Sequence, residues 1–262
     1  MPNIPSLQDL LHAGVHFGHR ESRRHPKMAP YLFGARNGIS VINLDLTRAA
    51  LETACAAARQ FAHDGKVILF VGTKDQAASI VREAAERIHA PYVTGRWLGG
   101  TFTNFSIISK LIQKYRALVR QRDTGEIQKY TKYEQIEIQR EIERLEGAVG
   151  GISELSKLPD ALFIVDVHEE ETAVREAVRL GITTFAICDS NVDPTLITYP
   201  IPGNDDAVSA IKLLVSVFTD AIAEGVEERA REIAQSGRLT PNQPTPDPDQ
   251  IIATPPPLSA AQ

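Results

Sequence analysis

The sequence is poor in most of the features that would narrow its function at once. It holds two cysteines, two methionines and one tryptophan in 262 residues. Two cysteines cannot build the disulfide framework of a small secreted domain. Cys55 and Cys188 each lie in an apolar run and read as buried, reduced thiols of a cytosolic protein. No apolar run approaches the ~20 residues that span a bilayer, and no membrane partner is expected. The opening MPNIPSLQDLLHAG lacks the basic-then-apolar layout of a signal peptide. Neither G-x-G-x-x-G nor G-x-x-x-x-G-K-[ST] occurs, so the two glycine patterns that cradle phosphates are missing. No Ser-His-Asp or Cys-His set has a supporting local signature, and no general acid is visibly paired with a base.

Net positive charge is lacking too: the formal charge is −5. Its distribution says more than its sum. Residues 1–148 carry 21 Lys and Arg against 15 Asp and Glu, a surplus of +6. Residues 149–262 carry 7 against 18, a deficit of −11. Such polarity fits one basic contact face on an acidic body, or simply an uneven solvated surface.

What is present is a regular alternation. KVILFVG (66–72) is a short apolar, β-branched run closed by Gly and predicts a buried strand. Ala77, Ile80, Val81, Ala84, Ala85 and Ile88 follow at helical spacing. PYVTG predicts a brief strand; ALFIVDV, HEEETAVREAVRLG and ITTFAICD then repeat strand, helix, strand. TYPIPG is a shorter strand, and the stretch from Asn204 carries Ile211, Leu214, Val215, Phe218 and Ile222 on one helical face. This alternation predicts an α/β fold, a parallel sheet with helices on both faces.

The pattern breaks between Phe105 and Gly147. Ile107, Leu111 and Leu118 form one stripe, and Ile138, Ile142, Leu145 and Val149 form another at 4-3-4 spacing. The Gly-containing RDTGE separates them, which predicts a projecting antiparallel helical hairpin with a thin coiled-coil seam. The expected organisation is therefore a basic, loop-rich segment over 1–45, an α/β domain over 46–103 and 148–225, an inserted hairpin over 104–147, and over 226–262 the end of the last helix and a Pro-rich tail. That tail has too few large apolar residues to offset its ordering entropy and reads as disordered.

Three stretches could carry chemistry. LFVGTK places Gly72 and Lys74 where α/β folds bind phosphates, but with a single glycine. RWLGG carries adjacent glycines without a lysine at P-loop spacing, and reads as a joint leading into the hairpin, with Trp97 and Leu98 packed at the sheet edge. Asp166 and Asp189 end strands, and Asp205 and Asp206 open the last helix. Their ordinary role is to favour the helix dipole or cap a loop. The alternative is a metal site of His19, Asp189 and Asp205, with histidine favouring zinc and carboxylates alone favouring magnesium.

AGVHFGH (13–19), PKM (26–28), FGARNG (33–38), INL (42–44), ILFVGTK (68–74), RWLGGTFTNF (96–105), LPDALFIVD (158–166), EA..LGI (176–182) and IPGNDDA (201–207) together resemble the bacterial small-subunit ribosomal protein S-two family. The matches run in order across residues 4–225. Arg24 and His25 stand where Trp and Asn are common, Gly95 where Asn is usual, and Glu171 and Thr172 where His and an aliphatic are common. The resemblance implies a flavodoxin-like fold with an inserted coiled-coil hairpin, no catalysis and no required cofactor. It also implies a cytoplasmic place in the ribosome, bound to small-subunit ribosomal RNA between head and body. Neighbouring ribosomal proteins would be partners, including protein S-one, which the chain would help to seat; no small-molecule substrate is implied.

RNA affinity comes chiefly from Lys and Arg meeting phosphates. Arg20, Arg23, Arg24, Lys27 and Arg36 are the leading candidates, followed by Lys74, Arg96, Lys110 and Lys114. Phe102, Phe105 and Tyr31 could stack on bases, but core packing is the simpler expectation. The rival reading is a nucleotide- or sugar-phosphate-binding α/β enzyme built on Lys74 and the strand-end aspartates.

Overall fold

The computed structural model describes residues 4–235; the Pro-rich tail expected from Ser236 onward lies outside the described residues. Five parallel strands form the main sheet: β4 (Ile68–Val71), β5 (Tyr92–Val93), β6 (Ala161–Val165), β7 (Thr183–Cys188) and β8 (Tyr199–Pro202). Their order is β5-β4-β6-β7-β8, the flavodoxin-like order, in which sequential strands run second, first, third, fourth, fifth.

Helices cover both faces of this sheet, which is why its strands are continuously apolar rather than alternating. Along β6, Ala161, Phe163 and Val165 point to one face and Leu162 and Ile164 to the other. The first face meets α2 (Leu44–His63), α3 (Asp75–Arg87) and α7 (Val208–Gln235). Phe218 of α7 stacks on Phe163 with ring centroids 4.1 Å apart. The second face meets α4 (Phe105–Asp123), α5 (Lys132–Val149) and α6 (Glu171–Leu180). Cys55 and Cys188 are both buried and free.

Helices α4 and α5 are the two arms of a helical hairpin. A capping box starts α5: the Thr131 hydroxyl and the Glu134 carboxylate reach each other's backbone N–H. Near the sheet the arms bury Ile108 and Ile112 on α4 and Ile142, Leu145 and Val149 on α5. Towards the tip Tyr133 and Ile136 are exposed, so the distal part has no core beneath it. One residue of the expected seam differs: Ile107 faces solvent, and its neighbour Ile108 is buried instead. Leu111 and Leu118 pack against the core cluster as expected.

The RWLGG stretch wraps around a buried carboxylate. Glu176, on α6, accepts hydrogen bonds from Trp97 Nε1 (3.2 Å), Gly100 N (2.8 Å), Phe102 N (2.9 Å), Thr103 N (2.9 Å) and the Thr103 hydroxyl (3.1 Å). Trp97 packs edge-on against Phe102, with centroids 5.0 Å apart. This loop is a joint: it carries the chain from the sheet edge into α4 and satisfies its amides on one side chain. Phe102 is buried, and Tyr31 and Phe105 pack against the same core cluster.

The N-terminal segment is more ordered than a loop-rich reading expects. Helix α1 (Leu7–His12) is followed by β1 (Phe17–Arg20), β2 (Leu32–Arg36) and β3 (Ile39–Ile42), an antiparallel sheet with β3 in the centre. Asn37 and Gly38 both have positive φ, 53° and 75°, in the two-residue turn joining β2 to β3. Asn-Gly is the favoured pair for such a turn because both positions need left-handed backbone. The alternation of ISVI and the Asn-Gly pair were the legible signals for this hairpin.

Glu176 gives a direct test. Burial alone raises its carboxyl, but the N–H donors of Thr103, Phe102 and Gly100 outweigh burial and hold it below the usual carboxylate range. The Glu176→Gln variant places an amide N–H₂ among donors and should cost about 3 kcal/mol, the scale of one or two unsatisfied buried groups. Because the folded-state carboxyl is depressed, its stabilisation is present above the unfolded value and lost as pH falls through the folded one. Urea melts should therefore show the gap between wild type and variant shrinking below about pH 4.

Candidate functional site

The C-terminal ends of the parallel strands converge on one buried cation. Lys74, at the end of the β4 turn and the start of α3, is 16% exposed. Its Nζ lies 2.8 Å from Asp166 Oδ2, 2.7 Å from Asp206 Oδ1 and 3.3 Å from Asp205 Oδ1. Burial lowers the ammonium, but hydrogen bonds to Asp166 and Asp206 outweigh it and raise it above the usual lysine value. Asp166 follows β6 in left-handed backbone, φ 69°, and its Oδ1 accepts from His168 N and Glu169 N. Glu170 Oε1 accepts from Thr73 N at 2.8 Å. Burial pushes that carboxyl up against the Thr73 donor.

A histidine enters from the other sheet. His19 of β1 donates its backbone N–H to Ser190 Oγ (2.8 Å) and Asp189 Oδ1 (3.2 Å). The approach is so close that a Cβ on Gly18 would fall 2.8 Å from Ser190 Oγ, so only glycine fits there. The imidazole Nδ1 lies 3.0 Å from Asp189 Oδ2, and Nε2 lies 3.5 Å from Asp206 Oδ2. Asp189 raises the imidazole, against burial. The donor atoms of His19, Asp189, Asp205 and Asp206 all fall within 4.8 Å of one another. Asp205 Oδ2 is buried without a hydrogen-bond partner, and the buried His19 Nδ1 and Asp189 Oδ2 have only their ion pair with each other. Asp205 is fully buried, and burial, with Asp166 and Asp189 beside it, pushes its carboxyl up to about 7.

This arrangement changes the expectations for two groups. Asp205 and Asp206 lie before α7, which starts at Val208, rather than in its first turn. The preceding Asn204 takes the local turn, its Oδ1 accepting from Asp206 N and Ala207 N. Lys74, expected among the phosphate contacts, is engaged inside the fold instead. Its charge is spent on three aspartates, and Glu170 and Asp166 add negative charge at the helix N-terminus where a nucleotide fold would hold phosphate. The structure does bring His19, Asp189 and Asp205 together, as the sequence reading proposed.

The remaining cations divide. Lys27 is paired with Asp193 at 2.6 Å, which holds that carboxyl down at about 2, and Lys114 is paired with Glu141 at 2.5 Å. Arg20, Arg23, Arg24, Arg36, Arg96 and Lys110 are exposed and make no side-chain hydrogen bond or ion pair among the described residues. Sequence reasoning missed Glu176 as an organising acceptor. No local signal marks it, because its donors lie more than seventy residues away.

A family model described as Ribosomal protein S2 matches residues 10–225. The chain is 46% identical over 235 residues to the small ribosomal subunit protein uS2 of Coprothermobacter proteolyticus, covering 90% of this chain and 88% of that protein. It is 47% identical over 238 residues to the uS2 of Fusobacterium nucleatum, covering 88% and 96%. With the uS2 of Saccharophagus degradans it shares 46% identity over 230 residues, covering 88% and 93%. The chain therefore belongs to the ribosomal protein S2 family, whose members are structural components of the ribosome and not enzymes.

Proposed function

We propose that this chain is a structural constituent of the small ribosomal subunit and binds ribosomal RNA through its N-terminal basic edge. The observation that carries this is the set of exposed, unpaired arginines, Arg20, Arg23, Arg24 and Arg36, on and beside one small sheet. Arginines without carboxylate partners keep their full charge for phosphates, and each contact releases condensed counterions. Arg96 and Lys110 extend the basic set at the joint and on α4. Lys27 and Lys114 would have to leave Asp193 and Glu141 to join it. The acidic half, −11 over residues 149–262, would turn away from RNA, because carboxylates beside phosphates cost affinity. Family membership supports a place between head and body and the seating of protein S-one, for which that acidic surface offers a cationic partner complementary charge.

The same site geometry favours a second reading for the ionic cluster. We infer that His19, Asp189 and Asp205, with Asp206, hold a divalent metal ion. The unpartnered Asp205 Oδ2 and the convergence of four donor atoms within 4.8 Å support it, and the mixed nitrogen and oxygen donor set suits zinc better than magnesium. Such an ion would be structural, tying the N-terminal sheet to the parallel sheet.

Two outcomes are expected. Replacing Arg20, Arg23 and Arg24 by Gln should weaken filter binding to small-subunit RNA and flatten its salt slope by roughly two to three, at ~0.7–0.9 per lost contact. Deleting residues after Ser236 should leave that binding nearly unchanged, since Arg238 is the one cation removed. A triple variant with the wild-type slope would contradict the assignment of the face. For the metal, elemental analysis of protein equilibrated with zinc should show about one ion per wild-type chain and its loss in the Asp189→Ala, Asp205→Ala double variant. Equal zinc in both would sink the metal reading.

A further inference from the structure

The outer face of the N-terminal sheet carries more than charge. On the central strand β3, Ser40 and Ile42 are buried, so Ile39 and Val41 point outward. Residues opposite one another on neighbouring strands share a face. The register sets Arg20, Ile39 and Arg36 in one row across the sheet, and Phe17, Val41 and Gly34 in the next. The outward face thus presents an arginine at each end of one row and an aromatic ring at one end of the other.

Phe17 is 51% exposed, and His16 covers part of it with ring centroids 4.0 Å apart. Phe33 is 81% exposed, more than any other large apolar residue among those described. It is the extra residue of a bulge, because Leu32 pairs with Ile42 while Gly34 pairs with the adjacent Val41. A bulge re-aims a side chain, and here it turns a phenylalanine into solvent. Gly34 adds no side chain to the row, and a Cβ there would meet nothing within 4 Å. Open space therefore lies beside Phe33 at Gly34. From Phe17 to Asn43 the sequence holds five Lys and Arg and a single carboxylate, Glu21.

We propose that this sheet face is a platform for unpaired nucleotides of RNA, with bases stacked on Phe17 and Phe33 and their phosphates held by Arg20 and Arg36. It rests on the reading that the chain binds ribosomal RNA, and adds that the RNA is single-stranded where it meets this sheet. Charge decides between occupants. A protein that covered two phenylalanines would also have to neutralise unpaired arginines on the same face, whereas a single strand offers a base and a phosphate with every nucleotide. A paired helix has its bases stacked away and would leave both rings uncovered.

The experiment is binding of the full chain to small-subunit ribosomal RNA across a salt series, with Phe33→Leu, Phe17→Leu, Phe33→Trp and the Arg20→Gln, Arg36→Gln double variant. Phe33 is too exposed for its replacement to threaten folding. Each Leu variant should bind roughly tenfold more weakly, as loss of one base stack implies, with the salt slope unchanged. The arginine pair should flatten the slope by roughly 1.4–1.8. Phe33→Trp should restore wild-type affinity, and the added indole fluorescence should be quenched on binding RNA. If wild type binds RNA and the Leu variants bind equally well, or the introduced indole stays unquenched, the platform is overturned while the RNA reading stands. If the Leu variants keep RNA affinity but lose a neighbouring protein on subunit reconstitution, the face is a protein contact and the proposal is wrong. If wild type itself binds no RNA, the broader reading falls and takes this one with it.

Discussion

A lysine ammonium taken out of water at the end of a parallel sheet has to be met by carboxylates, and meeting it constrains everything around it. Lys74 draws Asp166 from the end of β6 and Asp205 and Asp206 from beyond β8. That gathers the loops at one edge of the sheet into a single cluster. The cluster overshoots: with Asp189 it holds four aspartates for one lysine. His19, from a different sheet, lies against Asp189 and Asp206, which raise its imidazole and favour a positive charge there. The N-terminal sheet is docked where the charge imbalance is greatest, and backbone bonds from His19 to Ser190 and from His25 to Ser190 hold it there.

The same cluster occupies the place where a fold shared with nucleotide-binding proteins holds phosphate. The position that usually welcomes an anion, the N-terminus of the helix after the first strand, faces buried carboxylates in this chain. Unmatched positive charge lies instead at the edge of the appended sheet. There the arginines have no carboxylates to meet, and aromatic rings are left in water. The interior and the basic edge thus use charge in opposite ways: cations are matched inside the fold and left unmatched outside it.

Beyond the edge strand β5, Glu176 does for the RWLGGTFTN loop what Lys74 does for the strand ends. One carboxylate satisfies a run of amides that a tight loop would otherwise bury without partners. The loop can then be short and rigid, and Trp97 and Phe102 can pack beneath it. The hairpin of α4 and α5 leaves from this fixed point, with its base in the core and its tip in solvent.

The sequence by itself determined the α/β class, the parallel sheet, the long helices and the hairpin, because each of these follows from local periodicity. It also determined the family, through motifs too long and too odd to recur by chance. It placed His19, Asp189 and Asp205 together only as a possibility, since their separations of 170 and 16 residues carry no geometric information. It took the tertiary structure to show that Lys74 pairs with three aspartates, that Ile108 rather than Ile107 faces the core, and that Glu176 is the acceptor beneath the RWLGG loop. Only it decided that the basic N-terminal segment is a sheet whose bulge exposes Phe33. The physical reason is common to all of them. Periodicity reports which face of one element is apolar, whereas ion pairs, hydrogen-bond acceptors and register are set by groups that meet across the fold.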